Sequence, residues 1–471
     1  MATVYVDEDL VTVKLAGDRE MVVAWGDPIE VTSYENGRTQ VKVLDRSSKA
    51  IAGTVKGKLR TTATPPLKLA MVDVQQGDAL VLETPGGQVM LIDGGDNKLF
   101  ARYLAGRFRG TSAAKPKKVA AMLVTHGDAD HFEGLNLIQE SESDTRPGKA
   151  IFLQPERVIH NGLVKGPSTL KPEAIFGRTK KIGSDTYVLD LEDDLRQVAA
   201  ARKNKYFKRW SATLTAWEQR APIAVCRTAF GDLAAFDFLT TEGIGVEVLG
   251  PITVDVQDGG QVRPALPLLH EPAKGVAAAG TTGTSLSDSH TINGHSVVLR
   301  LTYGNVRMFF GGDLNAEAMA LLRSQVPSGG LESEIVKVPH HGSADFDPIA
   351  LRSLSPVVWL ISAGDESSRK EYIHPRANLM GALGRASRIE TPLVFCTELA
   401  AFFAARCYVQ PEGNGKKFFG FERTVFGIIH VRTDGQRVLV FSHSAKETLK
   451  EAYRFRVDAS HAVQFEDLDM R

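Results

Sequence analysis

The feature that most constrains the fold is an apolar segment that runs directly into a loop of metal-ligand side chains. The segment KKVAAMLVT (117–125) has the composition of a buried β-strand, and HGDADH follows it at once. Residues i and i+2 of an extended loop face the same side, so His126 and Asp128 can point at one centre. A helix is expected to begin at Asp130 or His131 and to turn these two side chains away. The spacing favours a loop that serves two adjacent ions.

Two further clusters of possible ligands also follow apolar strands. The first is Gly-Gly-Asp (311–313), after HSVVLRLTYGNVRMFF, and the second is VPHHGS (338–343), after SEIVK. Strands hold the backbone in place, while the loops at their ends aim side chains at a common point. A single His-His pair or Gly-Gly-Asp turn is usually structural. Three such clusters in the same strand–loop context favour a metal centre.

Charge and composition exclude several classes of protein. Lys+Arg equals Asp+Glu at 56 each, so no global field attracts nucleic acid or an anionic membrane. No run approaches the roughly 18 apolar residues of a membrane span. The segment MATVYVDEDL lacks the basic flank of a signal peptide. Cys226, Cys396 and Cys407 have no C-x-x-C spacing and suit a reducing compartment. We therefore expect a soluble, cytoplasmic protein without a membrane partner.

The 471 residues favour one large domain and one small domain. Residues 1–62 alternate apolar and polar side chains, with Asn36-Gly37 as a hairpin turn, and predict a small all-β barrel. Their pattern is similar to that of small bacterial Src-homology-3-like barrels, which suggests a site for a protein partner. TTATPP (61–66) reads as a linker to a main domain at 67–471.

The main domain is expected to carry an insert at about 141–290. It includes a charged helical stretch at 191–220 and a Gly/Ala/Thr/Ser tract at 273–289, which predicts a loop. Such an insert would either close a pocket over a small molecule or shape a groove for a polymer.

Five motifs occur in an order that resembles a known family. They are DVQQGDALVLETPGGQVMLIDGG, THGDADHFEGL, SVVLRLTYGNVRMFFGGDL, VPHHGS and ISAGDESSRKEYIHP. Over residues 67–380 the chain resembles the metallo-β-lactamase fold, in a stand-alone form of the ComEC-type competence branch. The resemblance implies an α/β protein, an αββα sandwich with a metal site at the sheet edge. Aspartate at Asp128 is frequent in this branch, whereas Gln75 departs from its usual glycine.

The resemblance also implies a role for each candidate ligand. His126 and Asp128 would bind a first divalent ion, and Asp130 and His131 a second. Asp313 would bridge the two ions, and either His340 or His341 would complete the coordination of the second ion. The first ion then lacks a third terminal ligand, for which His160 is the leading candidate and His290 and His295 are weaker ones.

Four other residues are predicted to support the site. Asp73 and Asp78 would brace the first hairpin, and Asp93 would hold the site loops from beneath. His374 would either contact a leaving group or phosphate, or cap the helix that Pro375 begins.

This chemistry suits phosphodiester hydrolysis. Two cations about 3.5–4 Å apart can hold a hydroxide between them and stabilise charge on a phosphoryl group. Asp130 or a water network would manage the proton. A carboxylate at Asp128 makes the site harder and shifts its preference from zinc towards manganese. We therefore expect a manganese- or zinc-dependent phosphodiesterase, in particular a nuclease.

Two other functions remain open. One is hydrolysis of a small substrate: a nucleotide, cyclic nucleotide, lactam or thioester. The other is a non-enzymatic, metal-stabilised scaffold whose N-terminal barrel recruits a partner. Basic residues near the site would either contact phosphates or form ordinary solvated faces: Lys115, Lys117, Lys118, Lys203, Lys205, Lys208 and Arg209. Phe207 and Trp210 would either stack on bases or fill the apolar stripe of a helix.

Overall fold

A computed structural model describes residues 4–17, 19–44, 49–146, 148–272, 282–364, 374–402, 421–443 and 451–471. Part of the predicted loop tract (273–281), part of the motif before His374 (365–373) and Cys407 lie outside the described residues. The fold is mixed α/β and rich in strands. No helix in these ranges is both long and apolar enough to span a membrane.

The N-terminal strands form a sheet of their own, in the order β3-β2-β6-β5-β4-β1-β7. Its strands are β1 (Val4–Val6), β2 (Leu10–Leu15), β3 (Glu20–Ala24), β4 (Pro28–Glu35), β5 (Arg38–Leu44), β6 (Ala50–Lys56) and β7 (Thr61–Thr62). The turn between β4 and β5 is Asn36-Gly37, both with positive φ (51° and 72°), as the sequence predicts. Val6, Val13 and Val41 pack together inside the curled sheet. Pairing between the edge strands β3 and β7 is not among the described pairs, so a closed barrel stays a prediction.

A second sheet has ten strands, in the order β17-β14-β12-β10-β9-β8-β30-β31-β32-β33. Its strands are β8 (Leu67–Met71), β9 (Ala79–Glu83), β10 (Val89–Asp93), β12 (Ala121–Leu123), β14 (Arg157–His160), β17 (Ala224–Arg227), β30 (Ile428–Thr433), β31 (Arg437–His443), β32 (Glu451–Val457) and β33 (Val463–Glu466). Strands β10, β12, β14 and β17 run parallel, so their carboxyl ends share one edge.

A third sheet has six strands, in the order β18-β23-β24-β25-β26-β27. Its strands are β18 (Ile244–Gly250), β23 (Val298–Tyr303), β24 (Val306–Phe310), β25 (Ile335–Lys337), β26 (Val358–Ile361) and β27 (Leu393–Cys396). From β24 to β27 the strands are parallel, and they deliver the second and third ligand clusters at their carboxyl ends.

The α-helices of the described ranges are α1 (Leu99–Arg107), α2 (Ala129–Ser141), α3 (Lys205–Glu218), α4 (Asp237–Thr240), α5 (Asp288–Gly294), α6 (Ala316–Gln325), α7 (Pro348–Leu354) and α8 (Ala377–Ala386). Six of them cover the outer faces of the two large sheets, whereas Phe238 and Leu239 of α4 pack in the core between the sheets. Apolar side chains of both sheets, such as Leu82 and Leu299, fill the space between them. Helices α1–α3 pack on the ten-stranded sheet and α6–α8 on the six-stranded sheet. The layers therefore follow the order helix, sheet, sheet, helix.

The remaining strands form small sheets. They are β11 (Lys117–Val119) with β13 (Leu153–Pro155); β15 (Thr179–Ile182), β16 (Asp185–Val188), β20 (Gln261–Pro267) and β19 (Val254–Asp258); β21 (His270–Pro272) with β22 (Thr282–Leu286); and β28 (Glu398–Phe402) with β29 (Phe421–Phe426).

The predicted insert at 141–290 is interrupted by the sandwich. Strands β14, β17 and β18 fall inside it and pair within the two large sheets. Two excursions are left, at 161–223 and 251–293. The charged stretch at 191–220 is only partly helical: Asn204 caps α3 by accepting hydrogen bonds from the amides of Tyr206 and Phe207.

Ion pairs dock the N-terminal sheet on the main domain. Arg437 Nη2 lies 2.7 Å from Asp7 Oδ1, and Arg432 Nη2 lies 2.9 Å from Asp27 Oδ1. Trp25 packs with Leu439 of β31. The division into units at 1–62 and 67–471 stays a prediction, but the segment at 61–66 is not their only connection.

Candidate metal centre

The HGDADH loop is held in place by close packing at its helix end. Asp128 is the N-cap of α2, so the helix begins one residue before the predicted position. Gly77 of the first hairpin lies against the backbone of Asp130: a Cβ on Gly77 would stand 1.7 Å from the Asp130 carbonyl oxygen. The same hairpin holds the Asp130 side chain, because Gln76 Nε2 donates to Asp130 Oδ2 over 3.0 Å.

Three histidines converge on one carboxylate oxygen. Asp313 Oδ2 lies 3.1 Å from Nε2 of His341, 3.2 Å from Nε2 of His131 and 4.0 Å from Nε2 of His126. Nε2 of His131 and Nε2 of His341 are 3.3 Å apart. All four side chains are buried. The three ligand clusters therefore meet at one point, although they are far apart in the sequence.

Neighbouring oxygen atoms hold the second nitrogen of two of these rings. Asp93 Oδ2 lies 2.8 Å from Nδ1 of His131. Nδ1 of His341 lies 3.2 Å from the Ser362 carbonyl oxygen and 3.3 Å from Asp78 Oδ1. Such a contact sets the tautomer and leaves Nε2 directed at the centre, the arrangement that proteins use around metal-bound imidazoles. Asp93 also accepts from the Thr125 amide over 2.8 Å. It thus supports the loop from beneath, where the sequence placed it.

A buried lysine, which sequence analysis missed, completes this carboxylate cluster. The Lys337 side chain is 1% exposed, its Nζ contacts the Asp78 carboxylate, and it lies 3.7 Å from Asp313 Oδ1. It also donates to the Gly312 carbonyl over 2.9 Å. The available signal was a charged residue inside the apolar run IVKV, where a lysine requires a partner.

The structure separates the roles of His340 and His341. Both have positive φ (51° and 54°) in the short turn Pro339–Gly342, which directs their rings to different sides. His341 reaches Asp313, whereas His340 Nε2 lies 3.4 Å from Asn293 Nδ2 on the wall of a cavity.

Asp128 and Asp130 stand at the mouth of the centre. Asp130 Oδ2 is 3.7 Å from Nε2 of His341. Asp128 Oδ1 is 3.4 Å from Lys165 Nζ, and the same Nζ is 2.9 Å from Asp288 Oδ2. Burial raises the pKa of Asp128 to about 6, although the Lys165 ammonium opposes the shift.

The electrostatics of the centre favour a cation. Burial disfavours an imidazolium, but the carboxylates of Asp313 and Asp93 outweigh it and raise the pKa of His131 well above its ordinary value. The pKa of His341 likewise rises to about 10 against the effect of burial, through Asp313 and Asp78. Burial, reinforced by neighbouring His131, lowers the pKa of His126. Protons thus occupy positions that a divalent ion would take.

The donor set fits a metal ion. One ligand atom each from Asp78, His131, Asp313 and His341 lies within 4.8 Å of the others. Because Lys337 and His341 already engage Asp78, we assign it to orientation and keep the other three as ligands. Asp313 Oδ1 is buried without a hydrogen-bond partner. Imidazole nitrogens combined with carboxylate oxygens suit zinc or manganese.

Comparison with known proteins agrees with this geometry. The model of the metallo-beta-lactamase superfamily matches residues 72–146, which hold the first hairpin, Asp93 and the HGDADH loop. The chain carries a metallo-beta-lactamase superfamily domain. The match does not resolve the ComEC-type branch, which stays a prediction. No curated protein matches the sequence.

Two solved structures share a distant likeness with the chain. One is Tm1679, described as a metal-dependent hydrolase of the beta-lactamase superfamily: 10% identity, TM-score 0.33, covering 70% of this chain and 95% of that one. The other is Igni18, described as a novel metallo hydrolase from the hyperthermophilic archaeon Ignicoccus hospitalis: 12% identity, TM-score 0.29, covering 70% and 94%. Similarity at this level carries no weight for function.

The metallo-beta-lactamase domain does not bring His160 to its centre. His160 Nδ1 accepts from the Gly162 amide over 3.0 Å, and Nε2 donates to the Asp193 carbonyl over 3.2 Å, so neither nitrogen points at a metal. His290 Nε2 instead lies 3.3 Å from Asp345 Oδ2, and His295 Nε2 lies 2.7 Å from the Pro267 carbonyl. None of the three proposed third ligands joins His126.

A cavity of about 980 Å³ opens over the centre of this domain. Its floor includes Asp130, Asp313 and His341, and its walls come from both excursions of the chain. His374 also lines it, with its ring centroid 6.3 Å from that of His340. The helix after His374 begins at Ala377 and not at Pro375, with Arg376 at the N-cap position and no side-chain cap hydrogen bond, so the capping alternative for His374 does not hold.

The basic residues of the insert differ in whether they are already engaged. Lys203, Lys205 and Lys208 all line the cavity. Lys203 is buried and donates to Ser211 Oγ over 3.0 Å, and Arg209 pairs with Glu133 and Glu140. The lysines at 115, 117 and 118 are not among the residues that line the cavity.

The two aromatic residues of α3 serve the helix packing. Phe207 is 4% exposed and Trp210 is 1% exposed. Both pack against α2, where the ring centroids of Phe132 and Phe207 are 5.2 Å apart. Neither ring is exposed enough to stack on a base, so the predicted base-stacking role is wrong. Both residues form the apolar stripe of the helix, the other role that the sequence allowed.

Proposed function

We propose that this protein is a metal-dependent phosphodiesterase that acts on nucleic acid or another phosphodiester. One observation carries the proposal: a buried His/Asp centre opens into a cavity whose wall carries Lys205 and Lys208. Neither ammonium forms an ion pair with a carboxylate in the described ranges, so both are available to a phosphate. The superfamily match supports the coarser assignment to metal-dependent hydrolases.

The residues of the centre divide the work between binding and positioning. His126, His131, His341, Asp313 and Asp130 would hold divalent ions, either manganese or zinc. When bound, two such ions would supply Lewis-acid charge to an anionic phosphoryl group. Asp93 and Asp78 keep the imidazole nitrogens directed inward.

Two side chains are placed to handle protons and substrate oxygens. Asp130 is held by Gln76 at the cavity floor, where its carboxylate can accept a proton from the attacking water. His374 faces the same cavity, and burial, with His341 and His340 nearby, lowers its pKa to about 4. A neutral His374 ring would donate a hydrogen bond to a phosphoryl or leaving-group oxygen.

The size of the cavity supports a second candidate function. A volume of about 980 Å³ is at the upper end of the range of roughly 300–1,000 Å³ for small-molecule sites. Hydrolysis of a nucleotide or cyclic nucleotide therefore remains the alternative, with the same centre and the same lysines. The scissile group of a lactam or a thioester is uncharged, so the lysines would have no anion to recognise at the reacting bond.

Cleavage assays with matched variants test the proposal. Labelled single- and double-stranded DNA and RNA, nucleotides, cyclic nucleotides and bis-p-nitrophenyl phosphate are incubated with the protein and Mn²⁺ or Zn²⁺. We expect cleavage that Asp313→Asn and Asp130→Asn abolish and that Asp255→Asn, on an exposed strand, leaves unchanged. Cleavage of small phosphodiesters alone would select the second candidate. Failure to cut any of these substrates, together with stability that increases with metal, would reject both and leave the scaffold.

A further inference from the structure

Another cavity lies between the N-terminal sheet and the main domain, and it shares no lining residue with the cavity over the metal centre. Its volume is about 600 Å³. It lies over strands β8, β9, β30 and β31, between α1 on one side and the N-terminal sheet on the other. We call it the seam cavity and define it by Lys68, Ala70, Tyr103, Arg107, His430 and Arg432.

The strand register explains why this space exists. Arg432 pairs with Lys68, and Lys68 pairs with Glu83, so three charged side chains form one row across the sheet. In the next row on the same face, His430 pairs with Ala70, and Ala70 pairs with Val81. The small Ala70 side chain lies directly beside Lys68 and leaves the floor open.

The charges of the seam cavity do not balance. Glu83 is taken by Arg107 in a bidentate pair at 2.6–2.9 Å, and Asp27 is taken by Arg432 at 2.9 Å. Lys68 has no carboxylate of its own among the described ion pairs; its Nζ donates to the Gly26 carbonyl over 2.5 Å and lies 5.8 Å from the Tyr5 ring centroid. Burial, with Arg432 nearby, lowers the pKa of Lys68 to about 8. An ammonium group without a carboxylate partner among the described ion pairs thus lines this cavity.

Further hydrogen-bonding groups face the same space. The Tyr103 hydroxyl and the His430 ring nitrogens make no hydrogen bond within the described residues. Burial raises the pKa of Tyr103 to about 12 and lowers that of His430 to about 3, so both are neutral. Exposed Arg102 stands at the opening without an ion pair in the described part of the chain. Two cations and two neutral polar groups are therefore left for an occupant.

We propose that the seam cavity binds a small organic phosphate. The phosphoryl group would accept hydrogen bonds from Lys68, Tyr103 and His430, with Arg102 adding charge at the opening. A phosphate dianion offers three terminal oxygens for these donors, whereas a carboxylate offers two. The organic part would lie against Val22 and Val81. Because the lining comes from α1, the main sheet and the N-terminal sheet, an occupant would hold these three elements together.

Titration calorimetry of the full chain in EDTA tests this proposal independently of hydrolysis. The probes are glycerol 3-phosphate and adenosine 5′-monophosphate, with glycerol, adenosine, inorganic phosphate and citrate as comparisons. We expect at least one phosphate ester to bind and Lys68→Met to weaken it at least tenfold. Ala70→Leu, which fills the floor without changing the charge, should weaken it to a similar extent. The surface control Lys56→Met and the centre variant Asp313→Asn should bind as the unmodified protein does.

Several results would overturn the proposal. One is that neither ester binds. Another is that citrate or inorganic phosphate binds while neither ester does. A third is that ester binding persists unchanged in both Lys68→Met and Ala70→Leu. If a variant is suspected of misfolding, its hydrolytic activity with metal shows whether the main domain is intact. Loss of hydrolysis with retained ester binding would count against the proposed function and leave the seam cavity assignment standing.

Discussion

Asp93 accepts the Nδ1 proton of His131 across 2.8 Å, and this contact directs Nε2 of the same ring to within 3.2 Å of Asp313 Oδ2. A carboxylate beneath the loop therefore sets which nitrogen faces the centre. His341 is held at Nδ1 by the Ser362 carbonyl oxygen, 3.2 Å away, with Asp78 Oδ1 at 3.3 Å adding negative charge. The two rings meet because each is fixed from behind.

Replacing Asp93 should weaken metal binding without changing a ligand. Asp93→Asn removes the negative charge that supports His131, and loss of such a partner lowers metal affinity by about 10- to 100-fold. Competition against a chelator with Mn²⁺ or Zn²⁺ measures the change, and Asp255→Asn is the matched control. Unchanged affinity in Asp93→Asn would mean that His131 does not bind the metal through Nε2.

Metal binding should release protons. The pKa values of His131 and His341 are raised, so both rings are protonated in the metal-free protein at neutral pH. A divalent ion can bind only the deprotonated nitrogens, so affinity should increase with pH. Calorimetry in two buffers with different ionisation enthalpies counts the protons, and we expect at least one per protein. Heats that are independent of the buffer would contradict this.

Lys337→Met should destabilise the metal-free protein. The variant leaves Asp78 and Asp313 buried without their cation, and breaking a buried pair in this way costs about 3–5 kcal/mol. Added Mn²⁺ or Zn²⁺ should restore part of the loss, because the metal compensates the same carboxylates. Urea unfolding with and without metal measures both effects. The surface variant Lys56→Met should stay within about 0.5 kcal/mol of the parent.

His160 should make stability depend on pH below neutrality. Burial lowers its pKa to about 4 from an ordinary 6.5, and its Nδ1 can accept from the Gly162 amide only while unprotonated. Above pH 6.5 the ring is neutral in both folded and unfolded chains. Between these two values only the unfolded chain gains the proton. As the pH is lowered through this range, the free energy of unfolding therefore falls by about 1.4 kcal/mol per pH unit. Unfolding of His160→Gln from pH 7 to 5 should show a slope that is shallower by this amount.

The lysines of the cavity wall should govern affinity for polyanions. Each neutralised phosphate contributes about 0.7–0.9 to the slope of log affinity against log salt. Lys205→Ala and Lys208→Ala should each reduce that slope for a nucleic acid substrate and raise its KM, with kcat little changed. Lys118→Ala, outside the cavity, is the control. A salt slope that neither variant alters would point to a small substrate.

Local patterns in the sequence were sufficient to predict which segments meet at the candidate centre. The HGDADH spacing placed His126 and His131 at the end of β12, and the strand-end rule brought Asp313 and the His-His pair to the same edge. The turn at Asn36-Gly37 was predicted because its geometry depends only on those two residues. Each of these features is decided within a few residues of chain.

Contacts between distant segments were beyond such patterns. Whether His340 or His341 enters the centre depends on the left-handed turn that both adopt. His160 follows a strand, as do the residues that meet at the centre, yet its ring turns back to Gly162 and Asp193. Lys337 and Asp78 meet only because the two sheets face each other. The insert was misjudged as continuous because strand pairing, not composition, returns β14 and β17 to the sandwich.

The position of Lys165 links access to the cavity with the charge of the metal loop. Lys165 belongs to the first excursion, and its ammonium lies between Asp128 of the HGDADH loop and Asp288 of the second excursion. A displacement of the first excursion would take this ammonium away from both carboxylates. The HGDADH loop would then become more anionic. A substrate that displaced Lys165 on entry would therefore also change how strongly Asp128 attracts a cation.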